Sequence, residues 1–205
     1  MRIRADPASS SHAIDQAGAA DDAIFASNTS TLPITGLAEA SARPANFIGL
    51  HFFSPVDKMP LVEIIRGEAT SDETLARAMD YVQRIRKTPI VVNDSRGFYT
   101  SRVFGTYARE GMAMLAEGIA PALIENAGRM AGMPVGPLAV SDEVSIERMH
   151  KVATQTKADL GDAYKPPVGE DVMEAMVAKL GRAGRKAGGG FYEYPKDDRK
   201  RLWPG

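Results

Sequence analysis

An α/β unit followed by an all-α unit is what this sequence predicts, and three observations carry the prediction. Up to Val92, short apolar runs of strand length alternate with a helix-spaced segment. Beyond Phe98 the strand signal stops, and four stretches with helical spacing follow. Between the two regimes lies a polar stretch, Asn93-Asp94-Ser95-Arg96-Gly97, with the composition of a connection. Three segments result: 1–21, a polar stretch that reads as a disordered leader; 22–95, the α/β part; and 96–205, the helical part.

The first strand is expected at Ile24-Phe25-Ala26, running into the polar cluster Ser27-Asn28-Thr29-Ser30. Two longer apolar runs follow, Phe47–Phe53 and Leu61–Ile65. Leu75, Met79, Val82 and Ile85 then form one helical stripe. Thr70 with Glu73 three residues later reads as a capping box at its start, the hydroxyl and carboxylate satisfying first-turn N–H groups. Ile90-Val91-Val92, after Pro89, is the last strand. Apolar strands with an intervening helix of this length point to parallel pairing.

In the second half, Phe104, Tyr107, Met114 and Leu115 mark a helix. Leu123, Ala127 and Met130 mark another, opened by Pro121 and closed near Gly132. Ile146, Met149, Ala153 and Leu160 mark a third, and Met173, Met176, Val177 and Leu180, stopped by Gly181, a fourth. The tail Gly188-Gly189-Gly190-Phe191-Tyr192-Glu193-Tyr194-Pro195 carries aromatics that should dock on a core.

Composition excludes several function classes. The net charge of −1 favours neither nucleic acid nor an anionic membrane surface, and without cysteine there is no thiolate chemistry, disulfide or zinc–sulfur site. No apolar run reaches membrane-spanning length and the first residues lack a secretory signal, so the expected location is cytoplasmic.

The candidate chemistry starts from two polar groups inside apolar strands, His51 and Glu63, twelve residues apart. A carboxylate among branched aliphatics is costly to bury unless paired, and an imidazole titrating near neutrality is the simplest partner. A carboxylate that orients a histidine is a usual general acid/base, although a structural ion pair is the other reading. Ser27–Ser30, directly after a strand, is placed either to bind a ligand beyond the carboxyl end of a sheet or to form a turn and helix cap. Asp142 and Glu143 read as structural acids before a helix, where they suit its dipole. His12 and His150 have no comparable neighbours, so no metal site is expected. The methionines sit at helical spacing as core or interface residues, and Lys196–Arg201 is mixed in sign and reads as solvated. Gly188-Gly189-Gly190 follows no strand and lacks G-x-G-x-x-G spacing, so it reads as a turn that positions Phe191 and Tyr192.

Taken together, these blocks resemble the 3-hydroxyacyl-CoA dehydrogenase family, in particular the dehydrogenase part of the multifunctional fatty-acid oxidation protein. The resemblance runs from about Asp22 to Gly205. It rests on Ala26–Leu32, Gly49–Pro55, Leu61–Ile65, Asp94–Arg102, Gly136-Pro137-Leu138, Gly190–Pro195 and Leu202–Gly205. It implies a partial Rossmann-type sheet, the C-terminal part of an NAD-binding domain, followed by a helical substrate and dimerisation domain. It also implies an oxidoreductase of β-oxidation that interconverts (S)-3-hydroxyacyl-CoA and 3-ketoacyl-CoA with NAD. His51 matches the catalytic histidine, Glu63 the carboxylate that orients it, and Ser30 a serine near the substrate oxygen and nicotinamide. Ser101 falls where many members have an asparagine holding the substrate oxygen, and Ser54 where many have asparagine. Cofactor contacts are assigned by the same resemblance to Asn28, Ser30, Ser54 and Lys186. Members normally begin with about a hundred more residues carrying the Gly-rich dinucleotide loop, which this sequence lacks. The expectation is therefore a chain that binds NAD poorly alone. It would form a homodimer through its helices or associate with a chain supplying the missing half. The rival expectation is a catalytically silent interaction module.

Overall fold

The computed structural model describes Arg2–Ile3 and residues 19–205. Of the stretch read as a leader, Arg2–Ile3 is a short strand (β1), and residues 4–18, His12 among them, lie outside the described residues. Four further strands follow: β2 (Phe25–Ser27), β3 (Phe47–Phe52), β4 (Leu61–Arg66) and β5 (Thr88–Asn93). They form one sheet in the order β1-β2-β3-β4-β5. Parallel pairing holds for β1–β2, β2–β3 and β4–β5. It fails for β3–β4, which is antiparallel. The eight residues Phe53–Pro60 between them are too few for a crossover, whereas a helix separates β2 from β3 and β4 from β5. Pro89 falls inside β5, where an edge strand tolerates the missing N–H.

Alternation along the strands sorts the side chains onto two faces. Ile48 and Leu50 of β3, with Val62 and Ile64 of β4, pack with Ala78 and Val82 of α2 (Asp72–Arg84). Phe47 and Ile65 point the other way and pack with Phe98 and with Ile34 and Ala38 of α1 (Ile34–Ala38). Each fully buried Val, Leu, Ile or Phe side chain among them contributes about 1.5–3 kcal/mol. Gly49, on this second face, has no room for a side chain: a Cβ there would lie 2.8 Å from both Ile34 and Ile65. His51 and Glu63, two residues along each strand from Gly49 and Ile65, share that face.

The cap of α2 differs from expectation. Ser71, not Thr70, is the N-cap, its hydroxyl accepting from Thr74 N at 3.2 Å. The Thr70 hydroxyl donates to Phe47 O at 2.7 Å and accepts from Gly67 N at 3.0 Å, so the strand has already taken it. At the other end Arg86, with φ +59°, donates to Gln83 O, and Lys87 N donates to Val82 O, a left-handed helix stop built without glycine. Ile85, placed on the buried stripe from sequence, is over one-third exposed.

The chain divides into two compact units, Met1–Val103 and Phe104–Gly205, and α3 (Thr100–Ala116) crosses the division. The second unit continues with α4 (Pro121–Met130), α5 (Pro137–Val144), α6 (Ile146–Leu160) and α7 (Glu170–Glu174), which runs on into a wider π turn, Ala175–Lys179. Its core contains Met112, Ile124, Leu138, Ile146, Met173, Met176 and Phe191. The face expected for α4 is reversed: Leu123 and Met130 are exposed, at 62% and 88%, while Ile124, Glu125 and Gly128 turn inward. Gly128 leaves room for the Tyr107 hydroxyl, and Glu125 accepts from Leu138 N at 2.7 Å and Ala139 N at 3.2 Å, the free N–H groups that open α5.

Asp142 is structural, as expected, but its position is not. It lies within α5, a helix the sequence pattern did not reveal, and it is buried. Its Oδ1 accepts from Phe191 N at 2.8 Å, and its Oδ2 from Tyr192 N at 2.9 Å and Tyr194 Oη at 3.0 Å. The carboxylate is thereby the clamp that docks the tail. Gly190 makes the approach possible, since a Cβ there would come within 1.9 Å of Oδ1. The tail closes as a hairpin of β6 (Tyr192–Glu193) and β7 (Arg201–Leu202). Trp203 N donates to Phe191 O at 2.9 Å, and the Arg182 guanidinium lies 4.3 Å from the indole centroid.

Candidate active site

Antiparallel register sets His51 directly opposite Glu63, and alternation points both to one face. His51 Nδ1 and Glu63 Oε2 are 2.7 Å apart. Glu63 has no solvent exposure and His51 keeps 8%. Three more donors converge on the carboxylate: Tyr99 N at 3.1 Å and Thr100 N at 2.8 Å onto Oε1, and Thr100 Oγ1 at 2.8 Å onto Oε2. The two backbone donors come from the start of α3, where N–H groups lack helical partners and the dipole favours an anion. The turn that aims them is left-handed at two successive residues, Gly97 (φ +77°) and Phe98 (φ +46°). Phe98 is fully buried against the sheet, and that packing holds a conformation rare for a bulky side chain.

Burial raises the pKa of Glu63, but the hydrogen bonds from His51 and Thr100 and the attraction of the imidazole outweigh it, so the carboxyl sits below its ordinary value. An ionised carboxylate only accepts, so Nδ1 carries a proton, and in the neutral form of the imidazole the lone pair falls on Nε2. Phe53 and Phe98 flank the imidazole, with ring centroids 4.5 and 6.3 Å away. An oriented imidazole with a free basic nitrogen and a fixed anion behind it is built to accept a proton and to stabilise the resulting cation.

Ser27 pairs with Gly49, which brings the cluster after β2 to the same end of the sheet as His51. Asn28 Oδ1 accepts from Phe52 N at 2.9 Å, tying that cluster to the residue beside His51. Thr29 Oγ1 accepts from Leu32 N at 2.9 Å, the turn-forming role that its residue type also allowed. Asp94 holds the far end of this loop, accepting from Ile34 N at 2.8 Å and Thr35 N at 2.7 Å at the start of α1. Ser30 is half-buried in the loop, Ser101 half-buried in the first turn of α3 beside Thr100, and Ser54 exposed after β3. Lys186 lies in the second unit, exposed in the turn Arg185–Ala187, where its charge helps lower the pKa of Glu147 behind the larger effect of Lys151. The pattern of the sequence did not single out Thr100 or Tyr99, whose backbone donors carry no side-chain signature. Gly97 before an apolar helix was the one available hint.

Open α/β sheets bind ligands beyond the carboxyl ends of their strands, where β2 and β3 present Asn28–Ser30 and His51. Hydroxyl and amide groups there fit the reactive end of a nicotinamide cofactor. The sequence has no G-x-G-x-x-G loop to cradle a pyrophosphate. Among the described residues, no group of three or more His, Asp or Glu could hold a metal ion, and no helix is long and apolar enough to cross a membrane.

Residues 12–95 match the family model described as 3-hydroxyacyl-CoA dehydrogenase, NAD binding domain, and residues 97–194 the model for the C-terminal domain of the same family. Among curated proteins the chain is 46% identical over 177 residues to the fatty acid oxidation complex subunit alpha of Shewanella amazonensis, covering 86% of this chain and 24% of that protein. The corresponding protein of Shewanella loihica is 44% identical over 179 residues, covering 87% and 25%. The chain thus spans about a quarter of the length of these relatives. Among solved structures it resembles (S)-3-hydroxybutyryl-CoA dehydrogenase from Ralstonia eutropha, with 40% identity, a TM-score of 0.77, and coverage of 84% of this chain and 61% of that one. A 3-hydroxybutyryl-CoA dehydrogenase from Escherichia coli matches with 30% identity, a TM-score of 0.76, and coverage of 87% and 38%. With both family domains matched in order along a mixed sheet and a helical region, the chain belongs to the 3-hydroxyacyl-CoA dehydrogenase family.

Proposed function

We propose that this chain carries the proton-transfer centre of a dehydrogenase of fatty-acid oxidation, interconverting (S)-3-hydroxyacyl-CoA and 3-ketoacyl-CoA. His51 Nε2 takes the proton of the 3-hydroxyl while a hydride leaves the same carbon, and it returns the proton in the reverse direction. NAD, when bound, supplies the hydride acceptor. Glu63 keeps the imidazole in one tautomer and stabilises its charged form. Ser30 and Ser101 offer hydroxyl donors to the substrate oxygen, and Asn28 and Ser54 are the further cofactor contacts. The chain acts in the cytoplasm as a homodimer through its helices, or with a chain that supplies the pyrophosphate-binding half. The observation that carries this reading is the 2.7 Å His51–Glu63 contact, with a fully buried carboxylate saturated by donors.

The test measures NADH-dependent reduction of a 3-ketoacyl-CoA by the chain alone and with a separately expressed dinucleotide-binding segment. His51→Ala should lower the rate by about 10²–10⁴. A rate unchanged by this substitution overturns the assignment. A second reading, a non-catalytic interaction module, is favoured by the exposed apolar stripe of Leu123 and Met130 on α4. Micromolar NAD affinity of the chain alone would exclude it.

A further inference from the structure

We propose that Thr100 is a positioning residue whose side-chain hydroxyl fixes Glu63 and tunes the hydrogen bond that this carboxylate makes to His51. The inference rests on the reading of His51 and Glu63 given above and extends it to a residue outside the catalytic pair.

The argument is one of acceptor sites. Glu63 has about four lone-pair directions, and four donors occupy them: Tyr99 N and Thr100 N on Oε1, His51 Nδ1 and Thr100 Oγ1 on Oε2. Thr100 alone reaches both oxygens, through its backbone N–H and its hydroxyl, so it sets the plane of the carboxylate as well as its position. Its hydroxyl shares Oε2 with the imidazole. A donor on that oxygen draws off electron density that would otherwise go to His51 Nδ1–H, so it weakens the contact while keeping the carboxylate ionised. The β-branched side chain adds stiffness, because threonine has fewer accessible rotamers than serine.

The surroundings leave few competing influences. β5, paired with β4, contributes no charged side chain, and neither does α1. Asp94, just beyond β5, is bonded to the start of α1. Arg96, Tyr99 and Arg102 flank the turn into α3 and are unchanged in every variant compared below.

The experiment is histidine-selective ¹⁵N NMR on the full 205-residue chain, observing the His51 Nδ1–H proton, which is assigned by its loss in His51→Gln. Thr100→Val removes the hydroxyl and keeps the shape and both backbone donors. The expected result is a downfield move of the Nδ1–H resonance, or its loss to exchange as the carboxylate loosens, with return toward the original signal in Thr100→Ser. Thr100→Ala makes the same comparison if valine disturbs the turn, with circular dichroism confirming the fold. An unmoved resonance in a folded valine or alanine variant overturns the proposal. So does a shift that serine fails to reverse, which would report side-chain volume instead of the hydroxyl. No turnover is needed, so the two failures are separable. If His51→Ala abolishes activity while Thr100→Val leaves the resonance unmoved, only the positioning role falls. If His51→Ala leaves activity intact, the catalytic reading falls whatever the resonance does.

Discussion

Glu63 is a buried anion made tolerable by its neighbours, and this has a consequence for acid stability. Its folded-state pKa lies below the ordinary 4.5, because donors from His51 and Thr100 outweigh the burial that opposes them. The stabilisation it contributes is therefore fully present above about pH 4.5 and is lost as the pH falls through the lower folded value. Glu63→Gln should cost about 1–3 kcal/mol near neutrality, since its amide presents a donor where donors already converge. It should also flatten the loss of stability in acid. Urea midpoints measured from pH 7 to pH 3 test both expectations, and identical slopes for the two proteins would contradict them. The His51–Glu63 pair was legible from sequence because two polar groups in apolar strands had few other solutions. Its outer layer was not, because Tyr99 and Thr100 act partly through backbone N–H groups at a helix start, which any residue type would supply.

Among the elements, those with large apolar residues at regular spacing were readable, and those held by small or polar residues were not. The four main strands and α2 form where their apolar residues place them, although of the α2 stripe only Val82 is fully buried, with Thr74 and Ala78 beside it. In α3 the buried side is Gly105, Ala108 and Gly111 with Met112, because Pro137 would lie 2.6 Å from a Cβ at Gly111. Close approach selects small residues there, and a pattern built on bulk misses them. α5 went unseen for a related reason: Ser141 and Asp142 are among its buried residues, so it has no apolar stripe. Leu123 and Met130 on α4 had the right spacing on the wrong face, because Glu125 is committed to the N–H groups of α5. The helix stop at Arg86 offers a stability test of its own. A left-handed conformation costs a side-chain-bearing residue about 1–2 kcal/mol, partly offset by the entropy that glycine loses on folding. Arg86→Gly should therefore stabilise the first unit by up to about 1 kcal/mol, read as a raised melting temperature. A lowered one would show that the arginine side chain contributes more than its backbone costs.

At the scale of the whole molecule, each unit holds buried carboxylates that accept backbone N–H groups: Glu63 in the first, Glu125 and Asp142 in the second. Glu63 and Asp142 respond to acid in opposite senses. Burial raises the pKa of Asp142, and the bonds from Phe191, Tyr192 and Tyr194 do not fully offset it. The pH-dependent part of its contribution is thus present below the ordinary value of 3.8 and is lost as the pH rises through the higher folded one, while the hydrogen bonds to Phe191, Tyr192 and Tyr194 remain with the ionised carboxylate. Asp142→Asn leaves one acceptor for donors that now reach two oxygens, and should destabilise by about 1–3 kcal/mol. The tail should then detach, and the backbone around Lys196, Arg199, Lys200 and Arg201, whose side chains are already exposed, should be cut faster by trypsin once it is free to move. Equal cleavage rates in both proteins would show that the aromatics hold the tail without the clamp. The docked tail also carries the only indole in the chain, Trp203, placed beneath the Arg182 guanidinium. Its emission spectrum consequently reports on the helical unit, against whose core the ring packs, so fluorescence recorded beside a backbone signal on one sample should time the release of the tail.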